Sequence, residues 1–310
     1  MINICFMGNP KFAVQTLDVL YNDENIDVKL VVSSPDKKRN RGKVTPTEVK
    51  KYAQDKGIDV VTPKTVNSEE FVKSLEDLDI DFIVVVAFGQ LIGEDLLKAY
   101  PDKIINLHPS ILPEYRGASP MQFSLLNGDK KTAATTMLIE KGMDSGDILI
   151  QDYIDIEDTD TYTTLEAKLS EIGSRAIRKT ILDFDNLYKN RSKQDDSKAT
   201  FCTKITKDMG RIDWQKPSAE IINQIRAFVE YPVAFLSYKG NNIKVYYAEI
   251  LESYQEKPGY VCKVGAKEGI VIATKDSAIR LKKIRFPGKK AMDVKSFLMG
   301  NDFEEGIVLD

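Results

Sequence analysis

Only one histidine occurs in the 310 residues of this chain, His108, in the run Ile104-Ile105-Asn106-Leu107-His108-Pro109-Ser110. Any imidazole chemistry the protein performs must pass through it. Asn106 lies two residues earlier, so on an extended segment the amide and the imidazole project from the same face. Pro109 cannot donate to a continuing ladder, which puts the pair where a strand opens into a loop. The carboxyl ends of parallel strands are where open α/β sheets bind ligands. The competing reading is an imidazole that caps a strand or is satisfied inside a core, the commoner fate of a single histidine.

The following run, Ser110-Ile111-Leu112-Pro113-Glu114-Tyr115-Arg116-Gly117-Ala118-Ser119-Pro120, reads as an irregular loop fixed by two prolines and a glycine. Its backbone N–H and C=O groups are free to bind a planar heterocycle. Further on, Glu140-Lys141-Gly142-Met143-Asp144-Ser145-Gly146-Asp147 holds Asp144 between two glycines, where a carboxylate can approach and orient the imidazole. A turn-stabilising aspartate fits the same pattern. An amide, an imidazole and a carboxylate, with no nucleophilic serine or cysteine among them, suit acyl transfer directly between two bound substrates. Amide N–H and imidazole stabilise an oxyanion, and the carboxylate positions the imidazole and relays protons.

Short apolar runs alternating with helical patterns must position these groups, which predicts a Rossmann-like α/β fold: a mostly parallel sheet with helices on both faces. Strands are expected at 3–7, 28–33, 59–62, 82–87, 104–107 and 135–139, and helices at 11–21, 47–56, 68–75 and 93–98. Ile83-Val84-Val85-Val86 is apolar on both faces, as a central parallel strand requires. Gly8-Asn9-Pro10-Lys11-Phe12 lacks the later glycines of GxGxxG, so it reads as a strand-to-helix connection rather than a dinucleotide site. Leu165, Leu169, Ile172, Ala176, Ile177 and Ile181 recur at helical spacing and predict one long amphipathic helix over 163–188.

Residues 189–198 contain no apolar side chain and read as a linker or mobile loop. A helix over 218–228 comes next, and five short strands at 234–238, 242–250, 259–264, 269–274 and 278–286 predict a small OB-like β-barrel. The expected division is therefore a catalytic domain over 1–188, a linker over 189–206 and a β-domain over 207–310.

Composition narrows the class. Lys plus Arg number 44 against 47 Asp plus Glu, a net charge of −3, so any polyanion must be met by local charge. Cys5, Cys202 and Cys262 are three widely separated thiols, which support neither a disulfide framework nor a zinc site. The amino terminus lacks a basic, cleavable leader, and the apolar run 82–88 is far too short to span a bilayer. A cytoplasmic protein without membrane association is the expectation.

The motifs Asn106-Leu107-His108-Pro109-Ser110-Ile111-Leu112-Pro113, Tyr115-Arg116-Gly117-Ala118 and Met143-Asp144-Ser145-Gly146-Asp147 together resemble the signature of the 10-formyltetrahydrofolate-dependent formyltransferases. Within that family the chain is similar nearly end to end to the members that formylate methionine on charged initiator tRNA. The similarity lies in the opening Phe6-Met7-Gly8-Asn9-Pro10-Lys11-Phe12-Ala13, in Arg41-Gly42-Lys43, in Gly210-Arg211-Ile212-Asp213-Trp214, in Ile225-Arg226-Ala227-Phe228 and in Gly288-Lys289-Lys290-Ala291-Met292. Ile111 and Ser119 depart from the family's usual Leu and Ala.

The resemblance implies that the methionine α-amino group attacks the formyl carbon of 10-formyltetrahydrofolate. Asn106 and His108 would hold the oxyanion, and Asp144 would orient His108 and assist proton transfer toward N10. Ser110, Ile111, Leu112 and Pro113, with backbone near Ala87, Phe88 and Gly89, would cradle the folate. It implies no metal, and a monomer is expected.

Two basic clusters bear on the acceptor. Lys37, Lys38, Arg39, Arg41 and Lys43 stand against Asp36 alone between 35 and 43, and Lys282, Lys283, Arg285, Lys289 and Lys290 stand without an acid between 282 and 290. Such runs are commonly solvated surface. With the resemblance they become candidate tRNA contacts, foremost Lys38, Arg39, Arg41, Lys43, Lys282, Lys283 and Lys289. Two alternatives remain: a formyltransferase acting on glycinamide ribonucleotide or an amino sugar nucleotide, and a non-catalytic folate- or RNA-binding homologue.

Overall fold

A computed structural model describes residues 1–39, 43–252 and 254–310. The chain opens with β1 (Ile2–Gly8), α1 (Lys11–Tyr21) and β2 (Ile26–Val32), then β3 (Lys37–Arg39) and β4 (Lys43–Thr45), α2 (Glu48–Lys56), β5 (Val60–Val61) and α3 (Glu69–Glu76). Helices α2 and α3 start behind side-chain caps: the Thr47 and Ser68 hydroxyls accept from the backbone N–H of Lys50 and Phe71, satisfying otherwise orphaned donors. There follow β6 (Phe82–Val86), α4 (Glu94–Ala99), β7 (Ile104–His108), β8 (Arg116–Gly117), α5 (Pro120–Leu126), β9 (Lys131–Leu138), β10 (Ile148–Asp155), α6 (Tyr162–Leu182), α7 (Phe184–Lys189) and β11 (Phe201–Cys202).

The main sheet has the order β10-β9-β7-β6-β1-β2-β5. Strands β5, β2, β1, β6 and β7 run parallel, while β9 is antiparallel to β7 and β10 to β9. The fold is thus mostly parallel with an antiparallel edge; the connection 139–147 between β9 and β10 is too short for the crossover that a parallel pair needs. Cys5, Met7, Ile83 and Val85 join Phe71, Leu75 and Leu96 in one core cluster, so α3 and α4 cover that face. Alternate residues face α1 and α6, where the Leu107 side chain lies against Gly173 and the Ser170 hydroxyl donates to the Phe12 carbonyl. After β2 the chain adds β5 outward, then crosses to β6 on the other side of β1. The switch point therefore lies between the carboxyl ends of β1 and β6.

Three expectations differ from the structure. The long helix is interrupted at Asp183, which leaves helical dihedrals, and Phe184 packs edge-on against Phe82 at 4.8 Å. Strand β10 and helix α5 carry little of the periodicity that sequence reading relies on and were not expected. The polar stretch expected as a linker is instead built into the first compact unit, residues 1–120, 131–155 and 166–202. Ser192 bridges to Ile148, Arg191 pairs with Asp147 at 2.8 Å, and β11 runs beside β8. A polar strap can be ordered by hydrogen bonds without contributing an apolar side chain.

The second unit comprises residues 121–130, 156–165 and 203–310. It contains α8 (Ser218–Ala227), β12 (Phe235–Tyr238), β13 (Asn241–Leu251), β14 (Val261–Gly265), β15 (Gly269–Ala273), β16 (Ala278–Arg285), β17 (Met292–Asp293) and α9 (Val294–Leu298). Its antiparallel sheet has the order β12-β13-β16-β15-β14, with β17 on β16. The sheet curls as a half-barrel around Leu236, Ile243, Val245, Ile270, Ile272, Ile279 and Leu281, with Trp214, Ile221 and Ile225 in the same core.

Candidate active site

Asn106 and His108 are the third and last residues of β7. Register pairs Asn106 with Val85 of β6 and, across β7, with Met137 of β9, while His108 pairs with Thr135. Both candidate groups thus sit at the carboxyl end of a parallel strand next to the switch point, Asn106 half-buried and His108 only 4 % exposed.

The ring is held on both sides. Nε2 of His108 lies 2.9 Å from the Tyr115 carbonyl oxygen, and Nδ1 lies 3.7 Å from Oδ2 of Asp144. A carbonyl oxygen can only accept, so Nε2 must carry the proton and a neutral imidazole presents a bare Nδ1. Burial pushes the His108 pKa below the ordinary imidazole value, opposed by the Asp144 carboxylate and the Tyr115 carbonyl. At rest the ring is neutral.

Asp144 is a non-glycine residue at φ 48°, a left-handed conformation that costs free energy. Its Oδ2 accepts the Gly117 N–H at 2.8 Å. Gly117 is at φ 116°, and a Cβ there would stand 2.4 Å from the Cys202 carbonyl oxygen, so no other residue fits this approach of β8 to β11.

Residues 2–181 match the formyl transferase family and residues 204–302 match the formyl transferase C-terminal domain. The methionyl-tRNA formyltransferase of Finegoldia magna is 43 % identical over 307 residues, covering 99 % of each chain. The chain belongs to the formyl transferase family. The methionyl-tRNA formyltransferase of Halothermothrix orenii is 38 % identical over 312 residues, covering 98 % of this chain and 99 % of that one. Among solved structures, a sugar 3N-formyl transferase crystallised with dTDP and 5-N-formyl-THF shares the fold at a TM-score of 0.66 and 24 % identity, covering 94 % of this chain and 99 % of the other.

In this formyltransferase the folate candidates divide by what their polar groups already do. The Phe88 side chain is buried in the sheet core and its carbonyl accepts the Asn9 amide. The Ser110 hydroxyl donates to the Glu114 carbonyl at 2.6 Å, and the Leu112 carbonyl accepts from Gln151 at 3.1 Å. These residues shape the loops from behind. Ala87 and Gly89 are exposed, Ile111 and Pro113 half-buried, and the space around Gly89 is open, so these four are the surfaces a flat heterocycle can touch. Asn9 also accepts from the Ser33 hydroxyl at 3.0 Å and the Ser34 N–H at 2.8 Å, bracing the loop from a turn whose sequence suggested only a connection. Among the described residues, no cluster of three or more His, Cys, Asp and Glu side chains could hold a metal ion, and no helix is long and apolar enough to cross a membrane.

Of the tRNA candidates, Arg41 lies outside the described residues, and Lys38, Arg39 and Lys43 belong to a two-stranded hairpin, β3 against β4. In the second unit Lys283 and Lys289 are exposed. Lys282 pairs with Glu249 at 3.5 Å, so part of its charge is answered within the sheet. Sequence reading missed a cation group there: Lys244 is the register partner of Arg285, and burial, with Arg285 and Lys207 close by, holds its ammonium below the ordinary lysine range. The Arg285 guanidinium also lies 5.5 Å from the centre of the Tyr246 ring. Lys207 and Lys244 stand outside any basic run, so charge counting along the chain passes over them.

Proposed function

We propose that this protein transfers the formyl group of 10-formyltetrahydrofolate to the α-amino group of methionyl initiator tRNA, as a monomeric cytoplasmic enzyme of translation initiation. The observation that carries the acceptor is the 43 % identity to a methionyl-tRNA formyltransferase across 99 % of both chains. The chemistry rests on His108 and Asp144.

In this reading the folate is a co-substrate that supplies an activated formyl carbon. Ala87, Gly89, Ile111 and Pro113 contact its ring system, with Phe88, Ser110 and Leu112 supporting them. The amine nitrogen forms a bond to that carbon and the bond to N10 breaks, while one amine proton must travel to N10. Asn106 donates an amide N–H to the oxyanion that develops on the formyl oxygen. His108 cannot donate from a bare Nδ1, so it first accepts the amine proton there. The resulting imidazolium is stabilised by the Asp144 carboxylate on one side and the Tyr115 carbonyl on the other, and only then can it donate to the oxyanion or pass the proton toward N10. Asp144 both orients the ring and makes its charged state accessible.

For the tRNA, we assign Lys38, Arg39, Arg41 and Lys43 to the acceptor arm, and Lys282, Lys283 and Lys289 to backbone phosphates. The local excess of positive charge in these two stretches of the sequence supports this assignment. Incubating the protein with 10-formyltetrahydrofolate and, separately, methionyl initiator tRNA, glycinamide ribonucleotide and an amino sugar nucleotide tests the reading. Formylation of the tRNA alone is expected. Formylation of either small acceptor in preference to the tRNA would overturn it.

A further inference from the structure

The route by which Asp144 reaches His108 is not supplied by the strand that leads to it. Strand β9 ends at Leu138, whose register partner is Ile105. That is three residues before His108 in β7, roughly 10 Å away along a strand. The loop 139–147 must fold back, and it does so tightly: a Cβ on Gly146 would lie 2.0 Å from the Leu138 carbonyl oxygen. Asp144 sits in this loop in a left-handed conformation, which an aspartate tolerates better than most residues but still at a cost.

What holds the loop is Gln194, from the strap that carries no apolar residue. Its Oε1 accepts from Nε of Arg116 at 3.0 Å and from Nη2 at 2.8 Å, and its Nε2 donates to the Asp144 carbonyl at 2.9 Å and the Gly146 carbonyl at 2.8 Å. The amide is 7 % exposed, Arg116 is 5 % exposed, and the guanidinium also pairs with Asp196 at 2.8 Å. All four hydrogen-bonding places of the amide are used. Its orientation is forced, because a guanidinium only donates and a carbonyl only accepts. A glutamate could answer Arg116 but could not donate to either carbonyl.

We infer that Gln194, oriented by Arg116, is a positioning residue of the formyl-transfer site that clamps the Asp144 backbone so that its carboxylate faces Nδ1 of His108. This rests on the reaction proposed above. The polar strap over 189–198 is thereby part of the active site's supporting structure. The physical reason is geometric: a loop that must double back and hold an unfavourable φ needs an external donor pair, and a misplacement of about 1 Å at a reacting group costs on the order of 100-fold in rate.

A double-mutant cycle tests it, with Gln194→Glu measured alone and in an Asp144→Asn background. The glutamate keeps the bond to Arg116 but leaves the Asp144 and Gly146 carbonyls without their donor, so the melting temperature should fall and kcat is compared per folded molecule. Alone it should lower kcat roughly 10- to 100-fold, leave the KM for 10-formyltetrahydrofolate near its wild-type value, and speed amide exchange at 142–147 over the rest of the chain. In the Asp144→Asn background the further loss should be under about threefold, since the residue acts through Asp144. An equal loss in both backgrounds, or wild-type kcat in Gln194→Glu, would overturn the inference. Should the carboxylate prevent folding, Gln194→Met, of similar length, is read by the same cycle. If Asp144→Asn alone leaves kcat unchanged, the reaction scheme fails instead, a separate result.

Discussion

Nδ1 of His108 stands 3.7 Å from Oδ2 of Asp144, while Nε2 of the same ring is committed to the Tyr115 carbonyl at 2.9 Å. The imidazole is therefore polarised end to end: one nitrogen fixed as a donor into the protein, the other left bare beside a carboxylate. Such a ring waits for a proton.

Since His108 is the only histidine, its state can be read directly. In protein labelled with 15N-histidine the imidazole should appear at pH 7 as the neutral tautomer protonated on Nε2, with a pKa below 6.5. The unfolded chain, whose imidazole titrates near 6.5, binds a proton as the pH falls through that value while the native state does not. This group therefore makes stability fall on acidification below about 6.5 and contributes no pH dependence well above it. Denaturant midpoints at pH 5.5 and 7.5, compared with those of His108→Ala, isolate the contribution. A Nδ1-protonated neutral ring would contradict the assignment.

Asp144→Asn keeps an oxygen to accept the Gly117 N–H but removes the charge facing Nδ1. We expect kcat to fall roughly 10²- to 10⁴-fold with the KM for the folate little changed, because the interaction removed is made with the charged ring in the transition state. Steady-state kinetics at pH 7 would show this.

Gly117→Ala places a methyl 2.4 Å from the Cys202 carbonyl at φ 116°. A side chain that cannot be housed without moving β8 from β11 should cost about 2 kcal/mol or more, seen as a lower melting temperature. Loosening β8 also shifts the Tyr115 carbonyl and the Gly117 N–H, so activity per folded molecule should fall as well.

Replacing Arg41 and Lys43 together with Ala should weaken charged-tRNA binding and reduce the slope of log K against log salt by about 0.7–0.9 for each phosphate no longer neutralised. Lys283→Ala should act likewise. Lys282→Ala should have a smaller effect, because Lys282 is already paired with Glu249. Binding titrations between low and moderate salt separate these cases.

Much of the site was legible in the chain, for identifiable reasons. Asn106 and His108 declare themselves because the strand Ile104–His108 and the proline after it are local features. Asp144 is visible as a residue between glycines, yet its approach to His108 depends on a non-local pairing, β9 ending beside Ile105, that no periodicity encodes. The antiparallel edge was not legible in the chain, because strand β10 was not anticipated and the direction of β9 follows from its non-local pairing with β7. Nor was Gln194: the strap around it is exposed and polar and is held by hydrogen bonds rather than by apolar packing, with Gln194 alone buried, so hydrophobic patterning reports a linker. Phe88 illustrates the reverse case, a residue of the folate motif whose side chain serves the core.

The most direct test of the mechanism is single-turnover formylation of methionyl initiator tRNA by wild-type protein and His108→Ala, with 10-formyltetrahydrofolate binding measured on the same preparations. We expect His108→Ala to bind the folate with near wild-type affinity and to transfer the formyl group at least about 100-fold more slowly. An undiminished transfer rate in His108→Ala would contradict the mechanism.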